Sequence, residues 1–341
     1  GIKQITIPDT VVEIRHRAFS NCTNLNSVII PDSVTKICDY VFSGCSSIEE
    51  ISIPDSVTKI GEYVFSGCSN LTTVKLSKNL SSLGDCVFSN CKKLNNIEIP
   101  ATLTEISYRG YSTSGIFYGC VSLENVTFEY GITMIPQYLF FGCPGLTNIT
   151  IPDTVTEIGN RAFQNCINLK TVIIPDSITK INNSAFYGAT GLIEIEIPNS
   201  VTSMGENIFS SCTSLEKVKL PNTCQTIMAN TFYNCKKLKD IVLPETVTAI
   251  RQNAFYGCTS LSSIKLPDGL QIIDNGAFYG CTAMPSINLP DGLQTIEDNA
   301  FYECKSLTDI TIPKNVTSIG SKVFYNCDGL QKAVINASGE I

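Results

Sequence analysis

Thiols are the most numerous groups in this chain that could do chemistry: 16 Cys stand against a single histidine, His16, in 341 residues. A thiolate can attack a carbonyl when a base such as His takes its proton, and clustered thiolates can hold zinc. Neither arrangement is spelled out here. No C-x-x-C pair occurs, so converging metal ligands are missing at the level of spacing. One histidine rules out a His-ligated zinc cluster, and a Ser-His or Cys-His pair would depend on His16 with no companion nearby. Carboxylates recur after proline at Asp9, Asp32, Asp55, Asp153, Asp176, Asp268 and Asp291. The Gly-Gly-x-Gly-x-Asp loops of calcium-binding β-rolls are absent, and an Asp after Pro is accounted for by a turn. No glycine-rich loop follows a strand to cradle phosphate. The reading is a protein that is not an enzyme and carries neither metal nor cofactor.

What places these residues is a repeat. Pro54 to Leu76, PDSVTKIGEYVFSGCSNLTTVKL, is a 23-residue unit, and fourteen such units begin at positions 8, 31, 54, 77, 100, 129, 152, 175, 198, 221, 244, 267, 290 and 313. The twelfth position is always Phe, from Phe19 to Phe324. Thirteen of the cysteines occupy the fifteenth position, and the eighth unit has Ala189 there. A fixed short period means coils that cannot bury their own apolar face and must stack. A column that accepts Ala suits a small buried side chain, which is how free Cys behaves. In-register coils about 4.8 Å apart hold neighbouring Cβ atoms wider than the roughly 3.8 Å of real bridges, so the thiols are expected to be unpaired.

Inside a unit, Leu71, Val74 and Leu76 alternate in and out as a short strand does. Stacked in register, these strands are expected to form one parallel sheet on the order of 70 Å long. Pro54-Asp55-Ser56 ends the strand, since Pro has no N–H for a ladder. Val57 and Ile60 return to the core, and a helical or 3₁₀ turn is expected over Gly61–Gly67. At position 7, Ile14, Ile37, Ile60, Leu83 and Met204 interchange at little cost.

Units of the form C-x-x-L-x-x-V/I-x-L/I-P-x-x-V-x-x-I-x-x-x-A/V-F resemble those of BspA-like leucine-rich-repeat proteins, and the resemblance runs over essentially the whole chain. It implies a leucine-rich-repeat solenoid: a curved, right-handed stack with the parallel β-sheet concave and short helical turns convex. It also implies microbial cell-surface or secreted proteins, many from low-oxygen habitats, that adhere to host matrix or other cells. Unpaired thiols on a secreted chain fit such a habitat. The expected organisation is one solenoid over residues 1–341: a partial coil 1–7, fourteen units from 8 to 335, and a tail 336–341. Because Gly1–Ile7 reads as the closing strand of a coil, the natural protein is expected to extend further.

Two features stand out as candidate binding positions. The fifth unit has ten residues between Ile106 and Phe117 where others have four, and this insertion brings Tyr108, Arg109 and Tyr111. Just after it, Phe128 replaces an aliphatic strand end and Glu129-Tyr130 replaces Pro-Asp. Tyr and Arg are common binding anchors, although a tolerated loop whose tyrosines pack on the coil is the plainer reading. On the concave strands, positions 20 and 22 offer short polar side chains of both signs, among them Glu194, Glu196, Lys217 and Lys219, with Ile29, Ile173 and Val242 between. That mixture suits a protein or cell-surface ligand better than a small molecule. A row of tyrosines at position 13, Tyr233, Tyr256, Tyr279, Tyr302 and Tyr325, is either an exposed stripe or rings lying flat on their neighbours.

A net charge of -7 argues against nucleic acid or anionic membrane as partner, and no run of eighteen apolar residues spans a membrane. The function expected is a protein-interaction module at the cell surface or outside the cell, an adhesin. The alternatives are an architectural spacer or the docking region of a larger enzyme.

Overall fold

The computed structural model describes residues 1–107 and 115–336. It divides into two compact units, Gly1–Ser177 and Ile178–Ile341, and each is a stack of 23-residue coils with parallel pairing in the expected register. In the first unit the two-residue strands Glu13–Ile14, Lys36–Ile37, Lys59–Ile60, Ser82–Leu83 and Glu105–Ile106 form one unbroken parallel ladder. The longer strands pair two by two: Gln4–Thr6 with Ser27–Ile29, Glu50–Ser52 with Thr73–Lys75, Asn96–Ile99 with Asn125–Phe128, and Asn148–Thr150 with Thr171–Ile173. The second unit repeats the scheme with Glu194–Glu196 on Lys217–Lys219, Asp240–Val242 on Ser263–Lys265, and Asp309–Ile312 on Lys332–Ile335. The single long sheet expected at positions 20–22 is thus a series of strand pairs, and the most continuous ladder lies at positions 6–7. Pro285 marks where the twelfth coil, which keeps its short strand Ile272–Ile273, forms no strand at positions 20–22. In the coil before it, Ser262 N–H donates to the Lys239 carbonyl at 2.8 Å, and a proline at that position has no hydrogen to give.

The turns differ from expectation too: no helix is present among the described residues. Each coil instead makes isolated turns, with Ser66 N–H on Tyr63 O at 3.2 Å and Cys68 N–H on Phe65 O at 3.1 Å. The alternate amides of Tyr63, Phe65 and Gly67 donate to Asp85, Val87 and Ser89 of the next coil at 2.8–2.9 Å. A helix cannot propagate because Tyr63 and Gly67 lie in the left-handed region, at φ 55 and 77. Position 14 is left-handed in every unit, and it is Asn or Gly except at Ser211 and Glu303, with φ 62 and 58. Gly and Asn adopt this conformation at least cost. Replacing Glu303→Asn should therefore stabilise the protein by roughly 1 kcal/mol. A denaturant midpoint that does not rise would show that this backbone position carries no strain.

Phenylalanines form the axis of each unit. Ring centroids from Phe19 to Phe163 are 5.4–5.9 Å apart, and those from Phe186 to Phe324 are 5.2–5.8 Å apart. The stack continues across the fifth coil, where buried Ile116 accepts Phe88 N–H at 3.0 Å and Phe117 stacks on Phe88 at 5.7 Å.

Candidate functional site: strand faces and a charged groove

Chemistry at the cysteines is closed off by their packing. All sixteen are unpaired and all but Cys22 are buried. From Cys45 onward, the column thiols other than Cys143 have a task that sequence reasoning missed: they donate to the phenylalanine carbonyl of the preceding coil, as Cys91 Sγ does to Phe65 O at 3.1 Å and Cys258 Sγ to Phe232 O at 3.1 Å. That same Phe65 oxygen already accepts Cys68 N–H, so the thiol satisfies its second lone pair. Cys143 turns instead to the backbone of Leu146 and Gly145. Burial pushes the Cys45 thiol up to about 11, and those of Cys143 and Cys212 up to about 12. A nucleophilic cysteine needs the opposite shift.

Two side chains of the turn row are engaged with the next coil. Asp55 Oδ1 accepts the Lys78 N–H of the next coil at 2.9 Å, and Asn199 does the same for Asn222 at 2.8 Å. His16 is exposed, with Nδ1 at 3.4 Å from Asp39 Oδ2. Among the described residues no three His, Cys, Asp or Glu are grouped so as to hold a metal ion, and no helix is long and apolar enough to cross a membrane. The tyrosine row from Tyr233 to Tyr325 is packed, with rings stacked at 4.5–5.0 Å. Burial, with the Glu303 carboxylate adding to it, pushes the Tyr279 hydroxyl up to about 12. These rings spend their faces on one another and leave only edges outward.

What remains available is the strand face. Alternation turns the middle residue of the three-residue strands inward and leaves those beside it outward, as in Glu194–Glu196, where Ile195 is buried and both glutamates are exposed. Parallel register sets Glu194 beside Lys217 and Glu196 beside Lys219, an acidic rung next to a basic one. Lys219 Nζ is ion-paired to Glu196 Oε1. Both ends are exposed, so the pair contributes at most about 1 kcal/mol and serves presentation more than stability. Val242 stands on the same row of this unit, 73% exposed, and in the first unit Ile173, at the corresponding repeat position, is 74% exposed.

In the first unit a groove runs from the third coil to the start of the sixth, lined by Lys75, Lys78, Asn96, Glu98, Pro100, Asn125, Thr127 and Glu129. Glu129 stands where every other coil but the fourth has Pro, and its Oε2 accepts Ala101 N–H at 3.0 Å. Phe128 closes the strand by packing edge-on to Phe140, at 6.4 Å and 89°. Tyr130, the next residue, is 94% exposed. Tyr108, Arg109 and Tyr111 lie outside the described residues, so their relation to Tyr130 is not part of this geometry. The rungs at Glu194–Lys219 belong to the other unit. The groove itself was not foreseen. Its signal was the loss of the Asp row at Lys78, Ala101 and Tyr130.

The description "BspA type Leucine rich repeat region" fits this chain over residues 1–114, 112–239 and 225–341, in six copies. Among solved structures it is similar to a leucine-rich repeat protein from Bacteroides ovatus, at 32% identity, TM-score 0.81, covering 97% of this chain and 86% of that one. A leucine rich cell surface protein from Faecalibacterium prausnitzii matches at 28% identity and TM-score 0.52, over 99% of this chain and 88% of that one. A leucine-rich repeat protein from Eubacterium ventriosum, 22% identical with TM-score 0.52 over 86% and 83% of the two chains, shares the fold. No curated protein matches this sequence. The chain belongs to the BspA-type leucine-rich-repeat family.

Proposed function

We propose that this chain is a non-enzymatic adhesin module: an array of all fourteen coils in one solenoid, displayed outside the cell, that binds host matrix protein or another cell through its strand faces. The observation that carries the reading is the exposed, charge-alternating rung pair Glu194/Glu196 and Lys217/Lys219. Side chains there are fixed in register by the backbone, so a protein partner meets a pre-ordered surface and loses less entropy on binding. The likeness to a Faecalibacterium cell surface protein supports an extracellular setting. Tyr130 and the inserted Tyr108, Arg109 and Tyr111 join this reading as anchors on the first unit.

The test swaps the rungs. In the variant Glu194→Lys, Glu196→Lys, Lys217→Glu, Lys219→Glu the internal pairing persists while the presented charge is inverted. Binding to a panel of immobilised matrix proteins should fall at least about tenfold, roughly 1.4 kcal/mol, with the melting temperature within a degree of the parent. Unchanged binding would remove these rungs from the interface. Deleting 107–112, and Tyr108→Ala with Tyr111→Ala, test the insertion in the same assay.

A further inference from the structure

The turn row that follows the strands is acidic along most of the first unit: Asp9, Asp32, Asp55, then Asp153 and Asp176. It is interrupted for three consecutive coils by Lys78, Ala101 and Tyr130. The interruption borders the groove that runs from the third coil to the start of the sixth. Charges at this groove are polarised along the stack. Lys75 and Lys78 lie at its early end, and Glu98 and Glu129 follow. Lys75, Lys78 and Glu98 make no ion pair among the described residues, in contrast to Lys219 and Glu196. Glu129 gives one oxygen to Ala101 N–H. Tyr130, which follows it in the chain, is 94% exposed.

From this we propose that the groove binds an extended peptide lying along the stack, with an acidic side chain over Lys75 and Lys78 and a basic one, three residues away, between Glu98, Glu129 and the face of Tyr130. The proposal rests on the protein-binding reading above and names the class of partner segment. Spacing follows from the geometry. Lys78 and Tyr130 are two coils apart, about 10 Å at β spacing, and an extended chain covers that in about three residues at roughly 3.3 Å each. A guanidinium or ammonium on the Tyr130 ring gains a cation–π contact that the neighbouring carboxylates reinforce. The same carboxylates repel an acidic side chain from that end, so the site rejects a purely acidic segment. An extended backbone suits the exposed asparagine and threonine side chains Asn96, Asn125 and Thr127, which can both donate and accept along its length.

The experiment uses the whole chain and fluorescent Gly/Ser peptides carrying Asp-x-x-Arg, with three controls: Asp-Arg adjacent, Asp and Arg six residues apart, and Asn-x-x-Arg. Fluorescence anisotropy should show Asp-x-x-Arg bound at least about tenfold tighter than any control. Lys75→Glu with Lys78→Glu should weaken it by a similar factor, and so should Tyr130→Ala. All three side chains are exposed or line open surface, so melting should not move. In the Lys75→Glu, Lys78→Glu protein, a Lys-x-x-Arg peptide should bind better than Asp-x-x-Arg, the reverse of the parent. Equal affinity for all four peptides, or indifference to these substitutions, overturns the proposal. So does heparin binding that needs Lys75 and Lys78 while Asp-x-x-Arg fails to bind, because the site would then read only polyanions. Any of these failures leaves the matrix-protein assay of the previous section standing on its own.

Discussion

Phe209→Ala is expected to cost about 3–5 kcal/mol. Phe209 is wholly buried and stacks at 5.8 Å on both Phe186 and Phe232. Its carbonyl also accepts Cys235 Sγ at 3.1 Å and its N–H donates to Thr231 O. Truncation removes the ring from between two others that cannot close up, since the backbone ladders on either side fix the coil spacing. Most of the transfer and cavity cost should therefore appear undiminished. Neighbouring coils couple in such an array, so the whole transition should shift. A denaturant midpoint within error of the parent would show that the phenylalanine column is not the continuous core.

A second large effect is expected in alkali. The thiols of Cys45, Cys143 and Cys212 are held up to about 11, 12 and 12 by burial, from an ordinary value of 9.0. Below the ordinary value both states keep the proton, and the stability these thiols contribute is fully present. As pH rises past it, the unfolded chain ionises and the folded chain does not, so folding loses about 1.4 kcal/mol per pH unit per thiol. For these three the loss approaches about 4 kcal/mol per unit between pH 9 and 11, and the other buried column thiols add to it. Denaturant unfolding at pH 8 and pH 10, in reductant without oxygen, should show the collapse. Lysines and tyrosines also titrate there, so Cys212→Ala isolates the effect and should make the slope shallower by about 1.4 kcal/mol per unit. Ala189 shows that the column tolerates this residue. An identical slope in parent and variant would contradict the thiol account.

Much of this architecture was legible because identity repeats. Fourteen Phe at one spacing and thirteen Cys at another fixed the coil length, the core columns and the absence of bridges. What escaped reading was backbone behaviour. Tyr40 and Tyr63 look like helix residues, yet both are left-handed, at φ 59 and 55, because the neighbouring coil captures alternate amides. The ladder at Lys36–Ile37 and Lys59–Ile60 is two residues wide, too short for alternation to show. At the candidate site, in-and-out alternation correctly exposed Glu194, Glu196, Lys217 and Lys219. The groove between Lys75 and Glu129 required knowing which turn meets which strand, a relation between coils that no single repeat contains.

Hydrogen–deuterium exchange on the chain, free and bound to the matrix protein it retains most tightly, tests the central claim that binding uses the strand faces. Protection on binding should fall on strands such as Thr73–Lys75, Asn96–Ile99, Glu194–Glu196 and Lys217–Lys219 and on the turns that follow them. Protection confined to the tyrosine row, from Tyr233 to Tyr325, with these strands unchanged, would contradict it.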